Sequence, residues 1–164
     1  MIRLATVSDV PAISRLWEKL VAYHQALGQD MPAAVPDGAA RYGRSLADRL
    51  DDNHTRVLVA EVDGQVVGYV LGVVVDLMPE IFEHHAGGFL ADIFVEESYR
   101  GRGLGRALVR ALEDWFRHNG LRYFEWHVAS SNKSALAFWE AMGGHSFMVR
   151  MRAYIEPKKP DGAR

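Results

Sequence analysis

Residues 94–106 read Phe-Val-Glu-Glu-Ser-Tyr-Arg-Gly-Arg-Gly-Leu-Gly-Arg, with glycines at the alternate positions 101, 103 and 105. A strand-like run at 89–95 precedes them, and Leu104, Ala107, Leu108, Ala111, Leu112, Trp115 and Phe116 follow as one helical stripe. A strand that turns within a few residues into so amphipathic a helix commits the chain to helices layered on a sheet. The turn also carries chemistry. Glycine lets a bound group approach the backbone without a Cβ in the way, and a helix start offers unpaired N–H groups at the positive end of the macrodipole. A phosphate or pyrophosphate fits such a place. Arg100, Arg102 and Arg106 add local positive charge. A dinucleotide fingerprint would need a third glycine at position 106, where Arg106 stands, and a phosphate loop would need Gly-Lys followed by Ser or Thr, which is missing. Both nucleotide readings fail on spacing.

The rest of the chain supplies the partners for that unit. Residues 2–5 suit a first strand. Ser8 offers an N-cap to a helix carrying Ile13, Leu16, Trp17, Leu20, His24 and Leu27 and closed by Gly28. A weaker helix over 38–50 places Tyr42, Leu46 and Leu50 on one stripe. The β-branched runs 57–62 and 65–75 are joined by Asp63-Gly64, a pair suited to a tight hairpin. Residues 76–88 are irregular, and Asn119-Gly120 ends the helix after the glycine turn. Residues 121–129 read as a strand. Asn132 caps a short helix with Ala135, Phe138, Trp139 and Met142 at i, i+3, i+4 and i+7, Gly143-Gly144 stops it, and 145–155 read as a last strand. The expected order is strand, two helices, three strands, helix, strand, helix, strand: a mixed α/β sheet.

Composition removes several function classes. The 164 residues include no cysteine, which excludes thiol nucleophiles, cysteine zinc sites and a disulfide framework. With 19 Lys plus Arg against 21 Asp plus Glu, no global basic field draws the chain to nucleic acid, so no nucleic-acid partner is expected. The longest apolar run, 66–75, is about half of the ~20 residues that cross a bilayer, and residues 1–10 lack a signal-peptide stretch. A cytoplasmic protein without membrane contact is the expectation. One domain over 1–155 and a flexible tail at 156–164, too poor in apolar residues to pack, complete the outline.

Arg100-Gly101-Arg102-Gly103-Leu104-Gly105 resembles the Arg/Gln-x-x-Gly-x-Gly/Ala signature of the GNAT superfamily, the acyl-CoA-dependent N-acyltransferases. A second family element, Asn132 followed by Ala135 and Phe138-Trp139 before a glycine, lies at the expected separation. With the element order, the likeness extends over residues 2–155. It implies a single-domain GNAT-type fold, with a mixed, mostly antiparallel sheet, splayed central strands and flanking helices. It also implies acetyl-CoA in the gap between the strands matching 90–95 and 121–129. Backbone groups around Ile93, Phe94 and Val95 would pair with the pantetheine arm, and one N–H there would polarise the thioester carbonyl. Arg100, Gly101, Arg102, Gly103, Leu104, Gly105 and Arg106 would hold the pyrophosphate, and Asn132 and Trp139 would border the same channel. A helix N-cap is an equally good role for Asn132 and compatible with that contact. The resemblance further suggests a homodimer.

The implied reaction is transfer of an acetyl group to a primary amine of a small molecule or peptide. A lysine-like amine has a pKa near 10.4, so its neutral form costs about 4.6 kcal/mol at pH 7 and a base is needed. Asp92, set among apolar strand residues, is the first candidate as base or as holder of a relay water, and His127 is the second. Alternation puts Leu90, Asp92 and Phe94 on one face of their strand. Glu125, Glu83, His84 and His85 stand nearby in sequence. The His84-His85 pair lacks a third ligand at metal spacing, so no metal is expected. Tyr23, His24, Asp30, Glu80 and Glu83 are candidates for the acceptor pocket. Two positions depart from the family pattern. Ala91 stands where polyamine-type relatives carry a glutamate, and Trp139 stands where many members have a tyrosine that protonates the leaving thiolate. An indole N–H donates a hydrogen bond but delivers no proton near neutral pH, and core packing is the plainer role for Trp139. A thiol of pKa near 8.5 leaves as thiolate only about 2 kcal/mol above its protonated form at pH 7, so water can supply that proton. The two departures also motivate an alternative, a catalytically weak acyl-CoA-binding or sensing domain.

Overall fold

Asp63 and Gly64 take φ values of 49° and 75° in a two-residue turn that joins β2 (Thr55–Val62) to β3 (Gln65–Val75). That hairpin is the centre of the sheet. The computed structural model describes residues 1–28, 31–76 and 86–155. In it β1 (Ile2–Leu4) pairs antiparallel with β2, β3 pairs antiparallel with β4 (Gly87–Val95), and β4 pairs parallel with β5 (Phe124–Glu125). The sheet order is β1-β2-β3-β4-β5. Helices α1 (Val10–Leu27) and α2 (Gly38–Ala47) cover one face, and α3 (Leu104–His118) covers the other, with α4 (Lys133–Ala141) beside it.

Two cores result, one on each side of the sheet. Ile13, Leu16 and Leu20 of α1 and Leu46 of α2 meet Val57, Val59, Tyr69, Leu71 and Phe94. Leu108, Val109, Leu112, Trp115 and Phe116 of α3 meet Leu58, Ala60, Val70 and Leu90, joined by Trp139 of α4. Alternate residues of β2 and β3 therefore serve opposite cores, and a strand buried on both faces reads as a continuous apolar run. Among the described residues no helix is long and apolar enough to cross a membrane.

Several expectations need correcting. The strand expected at 121–129 is only two residues long, because it pairs with β4 solely at Gly88–Phe124 and Phe89–Glu125. The strand expected at 145–155 does not form. Strand composition gives a capacity to pair, but pairing requires a ladder, and so short a β5 offers almost none. Phe147, Met148, Val149, Met151 and Ile155 are 66–96% exposed as a result. Ser8 is not the helix cap. It sits in a 3-10 turn (Val7–Asp9) that Thr6 and Asp9 close as a capping box, and Asp9 leads into α1. Asp9 is the N-cap residue of α1 but makes no side-chain cap to it, its carboxylate being held by Arg3 at 2.7 and 2.9 Å.

Leu90, Asp92 and Phe94 do not share a face. Leu71 pairs with Asp92 and Gly72 with Leu90, which leaves Ala91 without an opposite number. This β-bulge inserts one residue and reverses the alternation. Leu90 enters the α3 core, whereas Asp92 and Phe94, opposite Leu71 and Tyr69, turn to the α1/α2 side.

Candidate active site

The bulge also redirects the main chain. Gly88 N–H donates to Tyr123 O toward β5 (3.0 Å), yet Glu96 N–H donates to Val67 O toward β3 (2.8 Å). Without an extra residue these even-numbered amides would point the same way. By alternation back from Glu96, the N–H and C=O groups of Ile93 and Val95 face away from β3, toward the edge that β5 leaves after Phe89. The two strands therefore part, and β4 turns main-chain groups to the gap, the Val95 carbonyl among them accepting from Arg100 Nε.

The end of that gap is the glycine turn. Gly101 and Gly103 have φ of 74° and 80°, which L side chains adopt only with strain, and a Cβ at either position would meet nothing within 4 Å. Gly103 is the N-cap of α3 and contributes no side chain to its first amides. Open space, uncapped N–H groups and the positive helix end coincide there, which is the fit a diphosphate requires. Arg106 is exposed on the first turn of α3, and Leu104 and Gly105 are half-buried, Gly105 3.7 Å from Phe138 at its Cβ position. Arg100 and Arg102 are turned elsewhere. Arg100 donates from Nε to Val95 O (2.9 Å), and its guanidinium lies 5.4 Å from the Tyr23 ring and 5.3 Å from Phe94. Arg102 donates to Ser98 O (3.1 Å) and stacks 5.1 Å from Tyr99.

Across the gap, Asn132 Oδ1 accepts from the Ala135 amide at 3.0 Å and caps α4, as its position in the sequence indicates. The same oxygen accepts from the Tyr23 hydroxyl of α1 at 3.2 Å. Tyr23 thus links the two helical layers at the mouth of the gap. Beside it, Lys19, Ala22, Phe94, Glu96, Glu97 and Arg100 line a cavity of about 500 Å³, with Lys19 paired to Glu96. Trp139 is 6% exposed, with Trp126 at 4.4 Å and Phe138 at 5.0 Å between ring centroids.

On the α1/α2 side, Asp92 Oδ2 accepts from the Tyr42 hydroxyl at 3.0 Å. Burial holds the Asp92 carboxyl above the usual carboxylate range, while the Tyr42 hydrogen bond and nearby His24 pull it down. Burial also lowers His24, an effect that Asp92 opposes. Burial, then the Asp92 charge, push the Tyr42 and Tyr69 phenols up. His127 is exposed, its ring edge-on to Phe89 at 5.3 Å. Phe89 pairs with Val73 on the Asp92 side of the sheet, so both base candidates open onto one face. Glu125 is paired opposite Phe89. Asp30, Glu80, Glu83, His84, His85 and the tail at 156–164 lie outside the described residues. Among those described, no group of three His, Asp or Glu side chains is arranged to hold a metal.

A profile of the acetyltransferase (GNAT) family matches residues 16–144, from α1 to the end of α4. The chain belongs to the GNAT family. The chain is 33% identical over 116 residues to the N-alpha-acetyltransferase RimI of Mycobacterium tuberculosis, covering 70% of this chain and 65% of RimI. It is 36% identical over 120 residues to the L-ornithine N5-acetyltransferase NATA1 of Arabidopsis thaliana, covering 72% of this chain and 44% of that protein. Against three other curated N-acetyltransferases it spans 41–49% of their length. The aminoglycoside N-acetyltransferase AAC(6')-Iy in complex with CoA superposes with a TM-score of 0.73 at 20% identity, over 95% of this chain and 93% of that one. This last likeness shows the GNAT fold.

Sequence reading named the glycine turn and Asn132, and the family resemblance implied the parting strands; Tyr42 and Tyr69, which the fold sets beside Asp92, it did not connect with that carboxylate. Tyr42 read only as one residue of a helical stripe and Tyr69 as part of an apolar strand. No local signal ties either to Asp92, 50 and 23 positions away.

Proposed function

We propose that this chain is an acetyl-CoA-dependent N-acetyltransferase acting on a primary amine of a small molecule or peptide. The observation that carries the reading is the open edge of β4 running into the uncapped start of α3. Acetyl-CoA is the acyl donor, held as substrate: diphosphate on the amides of Gly101 to Arg106, pantetheine along Ile93 and Val95, with Asn132 opposite. Phe94, Leu104, Arg100 and Arg102 shape this channel from its walls, and Trp139 supports it from the core.

The bulge at Ala91 makes the chemistry compact. It sets a polarising main-chain amide at Ile93 next to a carboxylate at Asp92 that faces the acceptor side. The amine nitrogen attacks the thioester carbon, its proton passes to Asp92 directly or through water, and the C–N bond forms. The C–S bond then breaks, and the thiolate takes a proton from solvent because Trp139 has none to give. Attack is direct, since the chain has no cysteine to carry an acyl group. His127 is the second base candidate on the same face. RimI and NATA1 are named for amine acetylation, which supports a primary-amine acceptor.

The test is free thiol released from acetyl-CoA across a panel of amino acids, diamines and peptide N-termini. Turnover above background with one of them is expected. Thermal stabilisation by acetyl-CoA with no amine-dependent thiol release would instead support the acyl-CoA-binding reading. A Gly103→Glu variant should bind acetyl-CoA on the order of 100-fold more weakly through bulk and charge repulsion, whereas Gly103→Ala should keep binding and lose stability through its positive φ. We further propose a homodimer, supported by the exposed apolar residues of 145–155. A monomer mass in solution at micromolar concentration would remove it.

A further inference from the structure

Four elements converge behind Asp92. Trp17 of α1 stacks on Tyr42 of α2 at 4.9 Å and 14° between ring planes. Tyr42 in turn meets Tyr69 of β3 edge-on, at 6.5 Å and 65°. The Tyr42 ring is thereby fixed on two sides, and its hydroxyl donates to Asp92 Oδ2. Asp92 Oδ1 has no hydrogen-bond partner among the described residues. The Tyr69 hydroxyl, on a side chain 0% exposed, makes no hydrogen bond of good geometry, and the polar group it interacts with is the Tyr42 hydroxyl. Among the described residues, the charged and titratable groups facing Asp92 are His24 from α1, Tyr42 from α2 and Tyr69 from β3, with Arg49 beyond Tyr42. Among the described residues no guanidinium or ammonium is hydrogen-bonded to this carboxylate.

We infer that Tyr42 is a positioning residue for acetyl transfer, its phenol locking Oδ2 of Asp92 so that Oδ1 remains to take the proton of the acceptor amine. The inference rests on Asp92 being the base. A phenol is suited to the task. It stabilises the carboxylate with one hydrogen bond of 3.0 Å from a neutral donor and, unlike an arginine, does not quench its basicity with a full opposite charge. The Trp17 stack holds the ring of the donor, and the Tyr69 hydroxyl interacts with its phenol. The Tyr69 hydroxyl, one ring further from the carboxylate, adds bulk and dielectric but makes no bond to it.

The direction of the effect follows. The Tyr42 bond lowers the Asp92 pKa, so removing the hydroxyl raises it, leaving less carboxylate at any given pH. In Tyr42→Phe the ring and its stack remain. The midpoint of the Asp92 ¹³Cγ signal, assigned with Asp92→Asn and titrated by NMR without any acceptor, should rise by about one unit, a tenfold gain in proton affinity. Tyr69→Phe should move it by less than half as much. In turnover with the best amine of the panel, the acid limb of kcat/KM for Tyr42→Phe should shift up by the same amount. Activity should fall about tenfold below that limb and recover at alkaline pH, with the KM for acetyl-CoA unchanged. An unmoved midpoint in Tyr42→Phe, or an equal shift in Tyr69→Phe, overturns the inference while leaving Asp92 as base. An Asp92→Asn enzyme that keeps the wild-type kcat overturns the base assignment and the inference together.

Discussion

The N-terminal corner buries one aspartate and the cleft half-buries another, and the two are treated in opposite ways. Asp9, 6% exposed, receives both guanidinium nitrogens of Arg3 and the Thr6 amide and hydroxyl. The Arg3 hydrogen bond, against the penalty of burial, holds its carboxyl down at about 2. Glu61 ties Arg3 from the other side at 2.7 Å. Among the described residues Asp92 has a phenol and the charge of nearby His24, and burial wins, so its carboxyl sits above the ordinary range. The first arrangement closes a chain terminus onto the β1–β2 edge. The second costs stability and leaves the carboxylate without a hydrogen-bonded cation among the described residues, which the proposed role of Asp92 as base requires.

The largest test of that contrast is Asp92→Asn. Loss of a general base typically costs 10²–10⁴-fold, so kcat should fall by about 100-fold or more in the thiol-release assay, with acetyl-CoA binding intact. Asp9→Asn should do the reverse: activity per folded molecule is retained, while urea unfolding shows a loss of about 2 kcal/mol. Equal effects of both variants on kcat would erase the distinction between the two corners.

The pH dependence sharpens it. Asp9 is depressed on folding, so its contribution is present above the unfolded carboxylate pKa near 3.9 and is lost as pH falls through about 2. Asp92 is raised, so folding gains from its protonation as pH falls and bears the cost of its charge as pH rises through the folded value. Melting temperature measured from pH 8 down to pH 2 should therefore show Asp92→Asn slightly more stable than wild type at pH 8. In Asp9→Asn the steep decline below pH 4 should be reduced. An Asp92→Asn protein less stable than wild type at pH 8 would mean that the carboxylate is structural after all.

The smallest expected effect lies where the two layers touch. Tyr23→Phe removes one 3.2 Å bond to Asn132 and leaves the ring beneath Arg100, so the KM for acetyl-CoA should change only two- to three-fold, about 0.5 kcal/mol. Asn132→Ala loses that bond and the α4 cap together, and should add about 1 kcal/mol of destabilisation.

What the sequence determined by itself was the part of the molecule that works through main chain. Alternate glycines, an amphipathic helix after them and Asp63-Gly64 between two β-branched runs each specify local backbone geometry, and local geometry is written in neighbouring residues. The GNAT signature is legible for that reason, since bare amides at a helix start depend on a few adjacent positions. Tertiary structure decided the rest. One unmatched residue, Ala91, reversed the facing of Asp92 and opened the edge of β4, and nothing in the run Phe-Leu-Ala-Asp-Ile-Phe marks a bulge, because a bulge is defined only against the partner strand. The same holds for 145–155, whose composition suits a strand but whose pairing depends on an edge that β5 does not extend far enough to supply. Tyr42 reaches Asp92 only after α2 settles on β3 and β4, a contact between residues far apart in the chain. Secondary structure follows from neighbours in sequence, but the partners a carboxylate meets follow from neighbours in space.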